Sequence, residues 1–478
     1  MIGPSPPFWL FVVLAAPAGA AVLSLIPSSR VSEAVARGGS LVALAAAIAL
    51  LVDGASGLWG PYLGLDALSD VFLVMVTGIY ATSTFYSARY LRGIERPYLT
   101  PQIYYGLLSA FAFAMIAVLV VSDLGLMWIG IEATTVASAL LVVLERRPTS
   151  VEAAWRYTLV ASAGLTIALF ALLLLYTDTG TLNAFTLAAQ KPAVTLPVEM
   201  AVSLALVGYG TKVGLFPMHT WLPDAHSEAP SPVSAMFSGV LLPTALYAFL
   251  RVYAILPVPA PAPIADLVLA FGLLSAIVGA FLLQRQRSFK RMLAYSSMEV
   301  MGIAVVGVGV GGIALYGALV LLFAHAFAKS SAFYCSGNVL QTTGTTRIDE
   351  VRDLKTRVPW TGGAWILAAL AVTGAPPFGT FVGELVIITG AVGLGEYWIA
   401  AVLVGVILVA FLGVNGQIGL MVFGEPRVPT VRSEPGGERG VGIAYLNLVV
   451  ALLVGVAALP YLSSALRAAA QLLGGQLP

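Results

Sequence analysis

The sequence predicts an all-α polytopic membrane protein with about fourteen transmembrane helices, two inverted five-helix repeats and two broken helices. Its 478 residues are 59% hydrophobic and only 10% charged, whereas a soluble domain carries about 25% charged residues. Apolar runs of about 20 residues, each long enough to cross a bilayer core of about 30 Å, recur along the whole chain. These observations exclude an ordinary soluble protein.

The apolar runs define the predicted spans. The first run begins at Phe8, has no basic region before it and is followed by further spans, so we interpret it as a retained helix rather than a cleaved signal peptide. The spans are expected at residues 8–26, 38–55, 67–88, 102–121, 123–144, 156–176, 197–216, 231–253, 264–284, 291–310, 313–338, 362–390, 398–423 and 441–463.

Lysine and arginine residues outside these spans or at their edges test the predicted number of spans. Apart from Arg467 in the C-terminal tail, only Lys191 and Arg251 fall after even-numbered spans, and the others follow odd-numbered spans. Cytoplasmic loops carry an excess of basic residues. We therefore expect a cell (plasma) membrane protein with its odd-numbered connections in the cytoplasm and both termini outside.

Glycine and proline interrupt two of the spans. Span 7 contains Gly214 and Pro217, and span 12 contains Gly374 followed by Pro376 and Pro377. Non-helical backbone at membrane depth persists only where protein or water satisfies its polar groups. A pair of interrupted spans in corresponding halves is typical of a transport site between repeats. The alternative is that these prolines only kink the two helices.

The two interruptions suggest how the chain is divided. We expect helices 1–3 in residues 1–100, a first inverted repeat of helices 4–8 in residues 101–255, a second repeat of helices 9–13 in residues 256–425, and helix 14 with the C-terminal tail in residues 426–478. Units of five helices must be inverted relative to one another. Lys212 of span 7 and Glu384 of span 12 are then counterparts.

Few ionisable residues remain inside the spans. A charge at the bilayer centre costs about 2.5–3.5 kcal/mol, so retained charges usually face an interior path and have a partner. His325 lies four residues before Lys329, which places both on one face of a helix. The acidic, basic and histidine residues that lie at least three positions inside a span are Asp70, Glu132, Lys212, Glu299, His325, Lys329 and Glu384.

Five motifs surround these residues: "KVGLFPMHTWLPDAHSEAPSPVSA" from Lys212, "WIGIEATTVAS" around Glu132, "FKRMLAYSSMEVMG" from Phe289, "HAFAKSSAF" from His325 and "GAPPFGTFVGEL" from Gly374. They resemble the motifs of one membrane-protein family, the proton-pumping antiporter-like subunits of respiratory complex I, multisubunit cation/proton antiporters and membrane-bound NiFe hydrogenases. Within them, "IEATT" and "SSMEV" are most similar to the hydrogenase-4 component F branch.

The resemblance implies a subunit that moves protons or sodium ions with energy from redox chemistry in partner subunits. Glu132 would pair with Lys212, and Glu384 would be the terminal group of the relay. Many members have a lysine where this chain has Pro243, which also predicts a kink in span 8. The implied relay residues are Glu132, Lys212, His325, Lys329 and Glu384, with Glu299, His219 and His226 as further candidates.

The expected partners are other membrane subunits, a peripheral redox arm and the lipid bilayer, with no nucleic acid. We expect no cofactor and no metal on this chain, because its one cysteine, Cys335, excludes a thiolate-ligated cluster. Two alternatives remain open. One is a subunit of a multisubunit cation/proton antiporter without a redox partner, and the other is an inert anchor, which the retained charges disfavour.

Several candidates also have plainer interpretations. Glu132 could be a structural partner of a neighbouring helix, and relay and structural roles are evenly balanced for Glu299. We expect His219 and His226 to pack the loop after the break. Three further predictions concern charged residues outside the relay: Asp224 and Glu228 cap the helix that starts near Pro230, and Lys290 belongs to a basic cytoplasmic connection.

Overall fold

The computed structural model describes residues 6–94, 97–145, 147–425, 438, 440–457 and 459–475. These residues form α-helices and one short antiparallel hairpin of β1 (Gly57–Trp59) and β2 (Leu63–Leu65). The helices are α1 (Phe8–Leu23), α2 (Ser29–Asp53), α3 (Ala67–Tyr90), α4 (Pro101–Val120), α5 (Leu124–Val142), α6 (Pro148–Thr179), α7 (Ala184–Gln190), α8 (Leu196–Val213), α9 (Leu222–Glu228), α10 (Ser231–Met236), α11 (Leu242–Tyr253), α12 (Ala262–Leu283), α13 (Phe289–Val310), α14 (Ile313–Thr343), α15 (Leu354–Arg357), α16 (Pro359–Val372), α17 (Gly379–Gly393), α18 (Tyr397–Phe423), α19 (Val441–Val456) and α20 (Pro460–Leu472).

The predicted fold class is confirmed, since the chain is an all-α polytopic membrane protein. Within the described ranges, 11 helices are long and apolar enough to cross a membrane, or 12 if α19 and α20 together form one bent span. The predicted fourteen spans also include α1 and the two halves of interrupted span 12, α16 and α17, which have only 16, 14 and 15 residues. The count of fourteen and the inverted repeats therefore stay predictions.

Part of the predicted topology lies outside the described residues. Residue 458 of predicted span 14 and most of the connection before that span, residues 426–437 and 439, are not described. Five basic residues used to predict the orientation lie outside the described residues: Arg96, Arg146, Arg427, Arg432 and Arg439.

Connections of the same parity contact one another. After even-numbered spans, Leu63 of the hairpin forms a β-bridge with Val121, and Asp123 forms one with Asn183. After odd-numbered spans, Ser288 bridges to Arg347. These bridges join connections after spans 2, 4 and 6 and connections after spans 9 and 11, in agreement with the parity of the predicted topology.

Structural partners account for both basic residues in the even-numbered connections. Arg251 is buried and donates to both carboxylate oxygens of Asp66, at 2.5 and 2.7 Å. Burial alone would raise the pKa of Asp66, but the Arg251 guanidinium holds it below its usual value. Lys191 Nζ donates to the carbonyls of Ala254 and Leu256, at 2.6 and 2.8 Å, just beyond the end of α11. Hydrogen bonds within the protein therefore explain the positions of both cations, and membrane orientation is not needed to explain them.

Small residues bring pairs of helices together around the ionisable side chains. A β-carbon on Gly208 of α8 would lie 2.5 Å from the backbone nitrogen of Ala168 in α6. Between α12 and α13, a β-carbon on Gly279 would lie 2.8 Å from the backbone nitrogen of Glu299. Small side chains of this kind let membrane helices approach closely. They set the rotation of α8 and α13, and hence the direction in which Lys212 and Glu299 project.

Span 8 accommodates Pro243 through a π-helical turn. Residues Phe237–Leu241, between α10 and α11, are π-helical, and the Leu242 amide donates to the Phe237 carbonyl five residues earlier. Proline has no amide hydrogen for the ordinary helical bond, and π-turns inside helices absorb such interruptions. The kink expected at Pro243 stays a prediction, and the π-helical turn lies just before the proline in a fully buried span.

Candidate functional site

The break in span 7 ends α8 at Val213, one residue after Lys212. Gly214 adopts a left-handed conformation with φ of 82°, and the Leu215 amide bonds back to the Gly210 carbonyl at 2.9 Å. Trp221 Nε1 donates to the Thr211 carbonyl at 2.8 Å, and Ser275 Oγ of α12 accepts from the Phe216 amide at 2.9 Å. Protein groups therefore satisfy the interrupted backbone, as membrane depth requires.

The Lys212 ammonium is fully buried among neutral hydroxyls. Nζ donates to Thr135 Oγ1 of α5 at 2.8 Å and to the Tyr157 hydroxyl of α6 at 2.5 Å. It also lies 4.5 Å from the centroid of the Tyr157 ring, where a cation is attracted to the aromatic face. Ser138 Oγ extends this group, 2.8 Å from the Tyr157 hydroxyl.

The Glu132 carboxylate is hydrogen-bonded to α6 rather than to Lys212. One oxygen accepts from Ser162 Oγ at 2.5 Å. The other oxygen is buried and has no hydrogen-bond partner within the described ranges. The two side chains interact electrostatically, but no direct ion pair joins Glu132 and Lys212 in the described part of the chain. The structure thus places the predicted pair close together without direct contact.

The second buried lysine lies between α13 and α14. Lys329 Nζ donates to Ser296 Oγ at 2.6 Å and to the Leu293 carbonyl at 3.2 Å, both on α13. Glu299, one helical turn beyond Ser296, is 3% exposed and interacts electrostatically with Lys329. Each buried lysine therefore combines hydroxyl partners with a nearby carboxylate on another helix.

His325 lies one turn before Lys329 in α14 and is completely buried. Neither ring nitrogen has a hydrogen-bond partner among the residues that the structure describes. A buried imidazole normally uses both nitrogens, because an unpaired polar group in a low-dielectric interior is costly. These two nitrogens are therefore available to water or to a transferred proton.

Glu384 follows the break in span 12. Its carboxylate is 3% exposed and lies against the backbone of Gly374, where an added β-carbon would overlap Oε2. Thr380 Oγ1 satisfies the Ala371 carbonyl at 2.5 Å, and the Ala375 amide bonds to the Leu370 carbonyl at 3.0 Å. A cavity of about 320 Å³ between α17 and α18 borders Glu384.

The two histidines around the span-7 break occupy different environments. His226 is fully buried, with Nδ1 2.8 Å from the Leu222 carbonyl, and its ring lies 5.6 Å from the rings of Phe237 and Phe333. His219 is 9% exposed and packs beside Phe216, with ring centroids 5.7 Å apart. His226 thus lies in the interior beside span 8 and α14, whereas His219 packs against the break itself.

Three sequence interpretations of charged residues are wrong. Asp224 does not cap α10. It pairs instead with Arg156, at 2.6 Å, and with Arg291. Glu228 accepts from Thr149 Oγ1 at 2.9 Å. Lys290 lies in the first turn of α13 rather than in a connection, is 1% exposed and donates to the Ala229 carbonyl.

Hydropathy and charge in the sequence did not indicate the hydroxyl partners of Lys212, Lys329 and Glu132. Tyr157, Ser162 and Ser296 are uncharged residues in or next to apolar runs, so charge counting passes over them. Thr135 lies three residues after Glu132 in the same motif and helix. Its position in that motif could have indicated a role in the site. Among the described residues, no group of three or more His, Cys, Asp or Glu side chains could hold a metal ion.

Comparison with known proteins places this arrangement in one family. The family described as "NADH:quinone oxidoreductase/Mrp antiporter, TM" matches residues 121–411. The chain is 34% identical over 385 residues to a hydrogenase-4 component F homologue of Methylacidiphilum infernorum (isolate V4), covering 77% of this chain and 80% of the relative. It is 31% identical over 390 residues to NADH-quinone oxidoreductase subunit N of Desulforudis audaxviator (strain MP104C), covering 76% of each.

A solved structure agrees at the level of the fold. A chain in the structure of the Mrp complex from Dietzia sp. DQ12-45-1b superposes with a TM-score of 0.87 at 24% identity, over 97% of each chain. The family model and the curated relatives indicate an antiporter-like membrane subunit. The chain belongs to the family of transmembrane subunits of NADH:quinone oxidoreductases and Mrp antiporters.

Proposed function

We propose that this chain is the proton-translocating, or sodium-translocating, antiporter-like subunit of a redox-driven membrane complex. That complex would be a complex I-like NADH/quinone oxidoreductase or a group 4 membrane-bound hydrogenase. The observation that carries the proposal is Lys212, a fully buried ammonium at a helix break whose hydrogen bonds, among the described residues, go to neutral hydroxyls. The names of the two curated relatives, a hydrogenase component and a quinone oxidoreductase subunit, support the redox partner.

In the proposed relay, Glu132 controls the charge on Lys212. A buried ammonium is stabilised by a carboxylate in direct contact and destabilised when that carboxylate moves away. Ser162 holds Glu132 away from Lys212 in this structure. Rotation of Glu132 from Ser162 toward Lys212 would keep the proton on the lysine, and rotation back would release it.

The released proton would cross to the second half through His325 and Lys329. Pro243 takes the position where many relatives carry a lysine, so a proton leaving Lys212 requires water near the π-helical turn and His325 as the next titrating group. The ring nitrogens of His325, which have no hydrogen-bond partner among the described residues, support this route. Lys329, with Glu299 beside it, would pass the proton to Glu384 and so to the opposite aqueous side.

We further propose the setting of the subunit. It would lie in the plasma membrane, with its odd-numbered connections in the cytoplasm and both termini outside, in contact with lipid and with no nucleic acid. Redox cofactors would belong to a peripheral arm formed by partner chains, and this chain would carry none. The structural partners of Lys191 and Arg251 support the orientation, because they remove the two exceptions to the positive-inside pattern.

A second candidate is a subunit of a multisubunit cation/proton antiporter that works without a redox partner. The likeness to a chain of the Mrp complex favours it at the level of the fold. Purification of the native complex separates the two proposals. Co-purification with subunits that oxidise NADH or hydrogen supports the redox-driven complex, whereas an assembly of membrane subunits alone supports the antiporter.

Translocation in sealed vesicles of the assembled complex tests the relay. Lys212→Ala should lower proton or sodium translocation by about 10²-fold, the usual contribution of a group that must transfer a proton, while native gels show normal assembly. Lys355→Ala, which removes an exposed lysine from the connection between α14 and α16, is the matched control. Normal translocation by assembled Lys212→Ala complexes would refute the assignment.

A further inference from the structure

A polar well opens at the end of the molecule formed by the odd-numbered connections. It is a cavity of about 200 Å³ between the ends of α3, α5 and α14, the turn between α9 and α10, and the start of α13. Charged side chains of both signs line it, including Glu145, Arg147, Glu228 and Arg291. Such a lining holds water in contact with the protein interior, unlike the apolar surface of the neighbouring spans.

Lys290 lines this well although it is only 1% exposed. Its ammonium has three donors, and the hydrogen bond found for it within the described residues goes to the Ala229 carbonyl at the end of α9. Glu228 and Glu145 act on it electrostatically without forming an ion pair in the described structure. Lys290 is therefore a buried cation with donors to spare, next to a water-accessible cavity.

His226, in the last turn of α9, is fully buried. A carbonyl oxygen only accepts hydrogen bonds, so the contact of Nδ1 with the Leu222 carbonyl places the proton on Nδ1 and leaves Nε2 as an acceptor. Nε2 is buried and has no partner among the described residues. His226 interacts electrostatically with both Lys290 and Lys329. The imidazole thus lies within the influence of both lysines and presents a vacant acceptor atom.

We propose that Lys290 is the proton-uptake group of this well and that it passes protons to His226 on the way to Lys329. An N–H bond of the Lys290 ammonium breaks as an N–H bond to His226 Nε2 forms, directly or through one water. The neutral amine then takes a proton from water in the well. This inference rests on the proposed relay and identifies where protons enter it. The relay residues themselves do not line the well.

Cysteine accessibility tests the well independently of transport. With Cys335 replaced by serine, Lys290→Cys in sealed vesicles should react with a membrane-impermeant cationic methanethiosulfonate added to one side only. Met292→Cys, two residues along the same helix and fully buried, is the control and should stay unmodified. Absence of labelling at Lys290→Cys, labelling from both sides, or equal labelling of the two positions would overturn the proposed well.

A second pair of variants separates proton uptake from a structural role. Lys290→Arg keeps a positive charge and a donor for the Ala229 carbonyl, but arginine does not release its proton near neutral pH. We expect Lys290→Arg and Lys290→Met to lower translocation by similar factors, about 10²-fold, in assembled complexes. Wild-type translocation by Lys290→Arg would show that the lysine only holds the α9 end.

The two tests also distinguish this inference from the proposed function. If Lys212→Ala blocks translocation but both Lys290 variants translocate normally, the relay stands and this uptake site is wrong. If Lys212→Ala translocates normally, the proposed function fails, and the cysteine labelling still reports whether the well reaches Lys290.

Discussion

The two interrupted spans use the same backbone device to present opposite charges. In span 7 the chain breaks just after Lys212, and in span 12 it breaks before Glu384, with a left-handed glycine in each break, at φ of 82° for Gly214 and 66° for Gly374. Lys212 lies in the last turn of α8, where unpaired helix carbonyls favour a cation. Glu384 lies one turn inside α17, so the end of the helix affects it less.

The two charges also differ in what holds them. Hydroxyls from α5 and α6 hold Lys212, whereas Glu384 lies against the backbone of its own break at Gly374. The basic site therefore depends on packing between helices, and the acidic site depends on one glycine. Similar breaks can therefore position a functional group either through contacts between distant helices or through local contacts. Variants at each break can test this difference.

The largest effect in this comparison is expected at the acidic break. Glu384→Gln keeps the shape of the side chain but removes its charge, so translocation should fall by about 10²-fold, as for Lys212→Ala. Proton translocation in sealed vesicles measures it, with Glu396→Gln, an exposed acid just after α17, as the control. A fully active Glu384→Gln complex would mean that only the basic break is functional.

Gly374→Ala should have the next largest effect. The left-handed backbone alone costs about 1–2 kcal/mol for a residue with a β-carbon, and the added carbon would also displace the Glu384 carboxylate. Gly214→Ala carries a similar backbone cost, but its β-carbon meets the Leu222 side chain at 3.0 Å rather than a charged group. We expect Gly374→Ala to lose more translocation than Gly214→Ala at equal assembly.

The control for this pair is Gly405→Ala in α18, where nothing lies within 4 Å of an added β-carbon. It should assemble and translocate like the unmodified protein. Equal loss in Gly214→Ala and Gly374→Ala would show that both breaks act only through backbone strain, contrary to the local role assigned to Gly374.

Glu132 variants sharpen the description of the basic break. Because Glu132 is proposed to act through its charge, Glu132→Gln should lose most translocation and Glu132→Asp should keep part of it. Glu152→Gln, on the exposed surface of α6, serves as the control. The measurement is the initial rate in vesicles, and identical rates for the two Glu132 variants would assign it a structural role.

The smallest and most specific effect concerns the connection between the two breaks. His325→Ala should block transfer more strongly here than in relatives that keep the span-8 lysine, because no lysine at Pro243 can replace the imidazole. Adding Pro243→Lys should restore part of the rate. Gly405→Ala in α18, where an added β-carbon has nothing within 4 Å, again serves as the control. Normal translocation by His325→Ala would exclude this route.

Hydropathy and charge determined much of this protein directly. Backbone groups in lipid must be paired within a helix, so long apolar runs could only become spans, and the alternating basic residues indicated the alternation that the connections show. Glycine and proline marked both breaks because their backbone preferences are local. The positions of Lys212 and Glu384 beside those breaks were therefore available from the sequence.

Only the tertiary structure decided which groups surround these charges. Tyr157 reaches Lys212 because α6 and α8 approach through Gly164, Ala168 and Gly208, and contacts between residues so far apart in the chain leave no local pattern. Lys290 shows the same limit. Its position in the sequence indicated a loop cation, yet the turn after α9 covers it and accepts its hydrogen bond. Local propensity and hydropathy decide where a helix begins and ends, whereas its rotation and burial depend on packing between distant segments.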